Sequence, residues 1–109
     1  MQERETVSVH EQRLSQEMAE RVSRVFRVLS DPTRVRILHA LTLAELGNSE
    51  LADLVGLSES AVSHQMRELR LLNIVRAERR GRSVCYSLND AHVRHIFEDT
   101  LRHVQEGPE

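Results

Sequence analysis

The 109-residue sequence contains few aromatic residues, one cysteine, and neither lysine nor tryptophan. Its three aromatics, Phe26, Tyr86 and Phe97, cannot fill a core, so the core must be built from Leu, Val, Ile and Ala at helical spacing. That composition favours an α-rich fold. The single thiol, Cys85, excludes an intrachain disulfide and any two-cysteine redox sensor within one chain. All fifteen basic residues are arginine, which we ascribe to genome base composition rather than to function.

Long apolar runs are missing as well. No stretch approaches the roughly 18 apolar residues of a membrane span, and the polar start at residues 1–5 lacks the apolar core of a signal peptide. We therefore expect a cytoplasmic protein with no membrane partner. The length allows one domain with a modest core. We expect that domain to cover residues 11–106, between a flexible tail at 1–10 and a short tail at 107–109.

Two helices are predicted in the first half of the chain. Apolar residues at helical spacing predict an amphipathic helix over residues 11–29, and its long apolar stripe needs a partner. Asp31 is then a predicted N-cap, with Pro32 at the first position of a second helix that runs to about residue 44. The segment 45–48 is expected to be a short connection.

A helix-turn-helix follows. Ser49 is predicted to cap a short helix over residues 50–55, and Gly56 turns the chain into Ser58, the predicted cap of a helix that runs to about residue 72. Two helices joined by a tight glycine turn form this motif.

After this motif the apolar period changes to two. Alternating residues on either side of a basic segment at 79–82 predict a β-hairpin with an arginine-rich tip. The last helix is predicted from Asp90 to about residue 105, with Gly107 and Pro108 as stop signals. A hairpin directly after a helix-turn-helix is the wing of a winged helix. The predicted fold class is therefore mostly α with a β-hairpin, a winged helix-turn-helix.

The charge distribution indicates a nucleic-acid partner. The chain carries a net charge of −2, but residues 58–88 contain six Arg against three Glu. A locally basic segment in a mildly acidic protein suits a DNA footprint confined to one face. Short hydroxyls near a helix start suit close approach to the major groove, and longer side chains and the hairpin tip reach base edges and phosphates. The predicted DNA-binding residues are Ser58, Ser60, Ser63, His64, Arg67, Arg79, Arg80 and Arg82.

The last predicted helix carries a set of metal-ligand residues: Asp90 and His92 at its start, His103 and Glu106 at its end. The two histidines are eleven positions apart, about three turns plus 20°, so they share a face. At about 1.5 Å rise per residue they lie roughly 16 Å apart, too far for one ion. If this helix packs antiparallel against its copy across a two-fold axis, opposite ends meet and two identical sites form.

Structural roles explain the same residues equally well at this point. Asp90 is a good N-cap, Glu106 can be a solvated charge, and a histidine near a helix C-terminus interacts favourably with the helix dipole. Residues alone therefore leave two interpretations open: a metal site shared between two copies, or a helix that serves only as a dimer interface.

The sequence resembles the ArsR/SmtB family of bacterial metal-responsive repressors from about residue 14 to residue 106. The matching segments are residues 29–38 (LSDPTRVRIL), 50–52 (ELA), 57–65 (LSESAVSHQ) and 81–82 (GR). The pattern of Asp90, His92, His103 and Glu106 is similar to the interfacial zinc site of the SmtB-like branch. The resemblance implies an enzymatically inactive homodimer, joined through its first and last helices, that leaves operator DNA when zinc binds and so derepresses metal efflux or sequestration genes.

The resemblance also implies a coupling route and an exclusion. In similar proteins a zinc-ligating histidine donates its second ring N–H to a backbone carbonyl just after the recognition helix, which corresponds here to a link from His103 to Asn73. Many relatives carry a thiolate site in the segment that corresponds to residues 45–48, where this chain has Gly47 and no cysteine. A cysteine-rich site for arsenite, lead or cadmium therefore lacks its soft ligands.

Alternatives remain at the level of sequence. Cobalt can adopt tetrahedral N/O coordination, and a six-coordinate cobalt or nickel site needs further ligands. His10 is interpreted as a polar tail residue, and His95 lies about 60° around the helix from His92. A regulator that responds to no metal is a further alternative. A metallohydrolase is disfavoured, because all four ligands come from protein and no Gly-x-Ser-x-Gly motif is present.

Overall fold

The computed structural model describes residues 8–107, so residues 1–7 of the predicted tail at 1–10 and residues 108–109 of the predicted tail at 107–109, with Pro108, lie outside the described residues. Residues 8–11 are helical. The main elements follow in the order α1 (Gln16–Leu29), α2 (Pro32–Leu43), β1 (Leu46–Gly47), α3 (Asn48–Val55), α4 (Glu59–Leu71), β2 (Val75–Arg80), β3 (Ser83–Leu88) and α5 (Ala91–Gln105). No helix among residues 8–107 is long and apolar enough to cross a membrane.

The starts of α1 and α2 are set by capping side chains. The Asp31 carboxylate accepts a hydrogen bond from the Arg34 backbone N–H at 3.1 Å, with Pro32 in the first turn, as predicted. The prediction that the first helix begins at residue 11 is wrong. The Ser15 hydroxyl accepts from the Met18 N–H at 3.1 Å, so α1 begins at Gln16.

The start of the helix-turn-helix also differs from the prediction. Helix α3 begins at Asn48, with Gly47 rather than Ser49 at the N-cap. The Glu50 carboxylate accepts from the Gly47 N–H at 2.8 Å and so satisfies a backbone donor at the helix start. The segment 45–48 is not a plain connection, because Leu46 and Gly47 form a short strand.

The turn between α3 and α4 is built as predicted. Gly56 has φ 72°, a left-handed conformation that favours glycine, and its N–H donates to the Ala52 carbonyl at 2.9 Å to end α3. Ser58 then caps α4 by accepting from the Ala61 N–H at 3.1 Å.

The three strands form one antiparallel sheet in the order β1-β3-β2. Strands β2 and β3 form the predicted hairpin, from the Val75↔Leu88 pair at its base to the Arg80↔Ser83 pair at its tip. Gly81, at φ 64°, provides the left-handed turn. Strand β1 adds the pairs Leu46↔Tyr86 and Gly47↔Cys85, which tie the start of α3 to the wing.

The core lies between α2, α3, α4 and the sheet. Its fully buried members are Ile37, Leu41, Leu51, Val62, Met66 and Leu69. The terminal helices contribute little to it, because α1 has one buried residue, Val28, and α5 has none. The radius of gyration is 17.3 Å, against about 13 Å for a compact domain of this length. The terminal helices therefore extend the chain beyond its core.

Candidate DNA interface and metal-ligand helix

Helix α4 divides its residues between the core and solvent. Val62, Met66 and Leu69 are fully buried, whereas Ser60, His64 and Arg67 are exposed on the opposite side. This is the arrangement that a recognition helix needs, with one face anchored and the other free for a groove.

All three predicted DNA-binding serines already have structural partners. The Ser58 hydroxyl caps α4 and lies 3.3 Å from the Ser60 hydroxyl. The Ser63 hydroxyl accepts a hydrogen bond from Asn48 Nδ2 at 2.8 Å. Sequence reasoning missed Asn48, which also donates to the Glu59 carbonyl at 2.9 Å. The sequence pattern predicted Ser49 as the N-cap of α3 and therefore assigned Asn48, the first residue of that helix, to the preceding connection.

The three wing arginines are not equivalent. Among the described residues, Arg79 and Arg82 make no ion pair, and both are exposed. Arg80 donates to the Glu45 carboxylate at 3.0 Å and to the Glu78 carboxylate at 3.1 Å. Hydrogen bonds to Glu78 first and to Glu45 second raise the pKa of Arg80 above its ordinary value. These two partners neutralise the positive charge of Arg80 locally.

Helix α5 presents a continuous exposed stripe with a histidine at each end. His92, Ile96, Thr100 and His103 follow one another at helical spacing and are all exposed. Ile96 is 54% exposed, and Val104, beside His103, is 68% exposed. Two largely exposed aliphatic side chains on this helix, Ile96 between the histidines and Val104 after them, indicate a contact surface rather than a solvated face.

The two acidic residues of the predicted metal set lie at the ends of this helix, and only the Asp90 carboxylate takes part in capping it. Asp90 is the N-cap, and its Oδ1 accepts from the Val93 N–H at 3.1 Å, which leaves its second oxygen available. Glu106 is the C-cap residue, and it is exposed. Within residues 8–107 of one chain, no three His, Cys, Asp or Glu side chains converge on a metal position. The four residues can share an ion only if a second chain supplies half of them.

The predicted coupling residue Asn73 lies at the end of the recognition helix. It has φ 59°, a left-handed conformation that asparagine tolerates. Its N–H donates to the Arg70 carbonyl at 2.9 Å, and in the described part of the chain its own carbonyl oxygen accepts no hydrogen bond. His95 is exposed but lies off the stripe of His92 and His103. His10 lies in the helical segment at 8–11, where its backbone carbonyl accepts from Arg13.

Comparison with known proteins places the chain in a family. A family model described as "Bacterial regulatory protein, arsR family" matches residues 31–77. The chain is 42% identical over 94 residues to a transcriptional repressor SmtB homolog of Synechocystis sp., which covers 86% of this chain and 71% of that protein. It is 38% identical over 86 residues to a cadmium resistance transcriptional regulatory protein CadC homolog of Staphylococcus aureus, covering 78% and 71%.

Solved structures with a similar fold include another transcriptional repressor. The crystal structure of the AntR antimony-specific transcriptional repressor superposes with a TM-score of 0.76 at 35% identity, covering 86% of each chain. From these matches and from the winged helix described above, the chain belongs to the ArsR/SmtB family of bacterial transcriptional regulators, DNA-binding proteins rather than enzymes.

Proposed function

We propose that the protein is a zinc-responsive, cytoplasmic repressor. A homodimer without metal binds double-stranded operator DNA, and zinc binding at two sites between the subunits releases it, which derepresses genes for metal efflux or sequestration. The observation that carries this proposal is the exposed stripe of α5, with His92 and His103 at its two ends.

The homodimer follows from apolar surface that the isolated chain leaves exposed. On α1, Phe26 is 61% exposed, and Met18 and Val22 precede it at helical spacing; Leu14, just before the helix, is also 61% exposed. Helix α5 adds Ile96, on its exposed stripe, and Val104, about 100° around the helix from His103. Apolar surface left exposed on both terminal helices is typical of a self-complementary interface across a two-fold axis.

The chemistry of the donor set favours zinc. Two imidazoles and two carboxylates are ligands that tetrahedral zinc accepts. Across an antiparallel pair of α5 helices, Asp90 and His92 of one subunit would hold the ion together with the second subunit's copies of His103 and Glu106. CadC and AntR are named for cadmium and antimony, softer elements that favour thiolates. The lone thiol here, Cys85, lies on β3 beside Glu45 and is not part of α5.

Zinc can release DNA only if its affinities for the DNA-free and DNA-bound conformations differ. Zinc must bind the conformation that is free of DNA more tightly than the one bound to DNA, because a ligand with equal affinity for both shifts nothing. A ligating histidine usually donates its second ring N–H to an outer acceptor. We propose that His103 donates to the free carbonyl of Asn73 and so connects α5 to the end of the recognition helix.

The first test is a titration of the metal-free protein with zinc. The fluorescence anisotropy of a labelled duplex from the gene's own upstream region reports DNA binding, and bound zinc per dimer is measured in parallel. We expect two zinc ions per dimer and release of the duplex. Cobalt serves as a spectroscopic surrogate, and its absorption distinguishes four-coordinate from six-coordinate sites. Tight DNA binding at every metal concentration would instead identify a metal-independent regulator whose last helix is only a dimer interface.

The wing arginines give a second prediction. Replacing Arg79 or Arg82 by alanine is expected to weaken binding to all duplexes and to lower the slope of log affinity against log salt by about 0.9 for each phosphate that the variant no longer neutralises. Replacing Arg80 is expected to change the slope by less than half of this, because Glu45 and Glu78 neutralise it. Equal slope changes for all three variants would show that DNA displaces both carboxylates from Arg80.

A further inference from the structure

Helix α4 is held on both flanks by polar side chains from the two preceding helices. On a helix with about 100° per residue, Gln65 and Glu68 lie about 60° and 120° to one side of the buried Val62. Ser63 lies about 100° to the other side. Hydrogen bonds reach α4 at both of these flanks, and Ser60, His64 and Arg67 project between them, within about 40° of the point opposite Val62.

On the first flank, one guanidinium makes all the contacts. Arg34, near the start of α2, donates from Nε to Gln65 Oε1 at 2.7 Å and pairs through Nη2 with the Glu68 carboxylate. Its Nη1 donates to the Val28 carbonyl at 3.2 Å, in the last turn of α1. The Arg34 side chain is only 16% exposed. The planar fork of arginine makes such a three-way contact specific in direction, which a lysine ammonium cannot reproduce.

On the second flank, the contacts come from the first residue of α3. Asn48 Nδ2 donates both to the Glu59 carbonyl and to the Ser63 hydroxyl. Asn48 Oδ1 is buried and accepts no hydrogen bond from the described residues. A buried polar atom without a partner costs free energy. The position of Asn48 therefore depends on the two bonds that its amide donates to α4.

We propose, on the basis of the DNA-binding function proposed above, that Arg34 and Asn48 are positioning residues that set the rotation of α4 and thereby determine sequence specificity without touching DNA. The buried face alone does not fix this rotation tightly, because Val62, Met66 and Leu69 are aliphatic side chains that can adjust to a small turn of the helix. The two sets of hydrogen bonds on opposite flanks oppose rotation in either direction.

The consequence for DNA recognition is geometric. Side-chain tips lie about 6 Å from the axis of a helix, so a rotation of about 15° moves them by about 1.5 Å. Hydrogen bonds to base edges tolerate a range of only about 0.5 Å in donor–acceptor distance. Phosphate contacts made by the exposed wing arginines tolerate such a shift, because they depend mainly on charge. Removal of either flank is therefore expected to reduce binding to the preferred sequence and to spare binding to other sequences.

The test compares specific and non-specific DNA. The wild-type protein selects a preferred duplex from a randomised pool, and affinities for that duplex and for a scrambled one are measured at several salt concentrations. For Arg34→Lys and for Asn48→Ala, we expect the affinity for the selected duplex to fall about tenfold, the affinity for the scrambled duplex to stay within about twofold, and the salt slope to remain unchanged. The milder Glu68→Gln variant, which keeps the shape of a half-exposed side chain, is expected to bind the selected duplex about threefold more weakly.

The matched control is Arg36→Lys. Arg36 lies on the same helix as Arg34 and donates to the Leu54 carbonyl at 2.7 Å, a contact with α3 rather than with α4. The Arg36→Lys variant is expected to keep the wild-type ratio of affinities for the selected and scrambled duplexes. If Arg34→Lys fails to fold by circular dichroism, Glu68→Gln and Asn48→Ala decide.

The outcomes separate this proposal from the function on which it rests. A wild-type protein that selects no duplex overturns the proposed repressor function. If the wild-type protein prefers the selected duplex and the Arg34, Asn48 and Glu68 variants keep the same ratio of affinities for the selected and scrambled duplexes, the positioning role is overturned. An equal loss of affinity for the selected and the scrambled duplex also overturns the positioning role, because Arg34 or Asn48 would then act through general stability or through a phosphate contact.

Discussion

Replacing His103 by alanine is expected to abolish zinc-dependent release of DNA while the metal-free protein keeps its DNA affinity within about twofold. The substitution removes one imidazole from each proposed site, and three remaining donors hold zinc less tightly. Allosteric coupling typically changes affinity by about 5–150-fold, so the ratio of DNA affinities without and with zinc should fall from that range to about one. Anisotropy of a labelled operator duplex, with and without saturating zinc, measures this ratio.

Two further variants make the result specific. His95→Ala removes an exposed histidine that lies one turn from His92 but about 60° around the helix, and it should respond to zinc as the wild type does. His103→Glu keeps a ligand atom but has no N–H to donate to Asn73, so we expect retained zinc binding with weakened release. Full release by His103→Ala would contradict the site, and full release by His103→Glu would contradict the link to Asn73.

Replacing Phe26 by glutamate is expected to convert the dimer to monomers and to weaken operator binding by more than about 100-fold. Phe26 is 61% exposed on α1 and belongs to the apolar stripe of that helix. A carboxylate there would be buried without a partner on both sides of the two-fold axis, which costs several kcal/mol for each charge. Sedimentation equilibrium measures the dimer dissociation constant, and anisotropy measures DNA binding.

The control for this change is Arg24→Glu, which reverses an exposed charge on the opposite side of the same helix. This variant should remain a dimer. A dimeric Phe26→Glu protein, or an Arg24→Glu protein that dissociates, would place the subunit interface elsewhere.

The sequence is most informative where a local interaction decides the structure. Asp31, Gly56 and Ser58 act through backbone groups within four residues, and the hairpin is set by alternation around its own turn. The same kind of reasoning fails at α3. Strand β1 has only two residues, which is too short for a periodic signal, and it exists because β3, about forty positions later, pairs with it.

Several of the contacts that hold the DNA surface or distinguish its residues are long-range. Arg34 meets Gln65 and Glu68 across more than thirty positions, and Arg80 meets Glu45 across a similar interval. No pattern in a single sequence predicts such pairings, so the sequence alone does not distinguish Arg80 from Arg79 and Arg82. The proposed metal site is a different case, because the spacing of the ligand residues on α5 by itself indicates a symmetric pair of helices.

The weak attachment of α1 and α5 to the core has a consequence for how this protein responds to its own abundance. Folding that is completed only by pairing is a second-order process, so its apparent stability increases with the amount of protein. Each tenfold increase in subunit concentration adds about 1.4 kcal/mol per dimer to the free energy of unfolding. A newly made subunit at low protein concentration, which has no partner, is therefore the form most exposed to proteolysis. As the protein accumulates, a larger fraction of the subunits is dimeric and resists proteolysis.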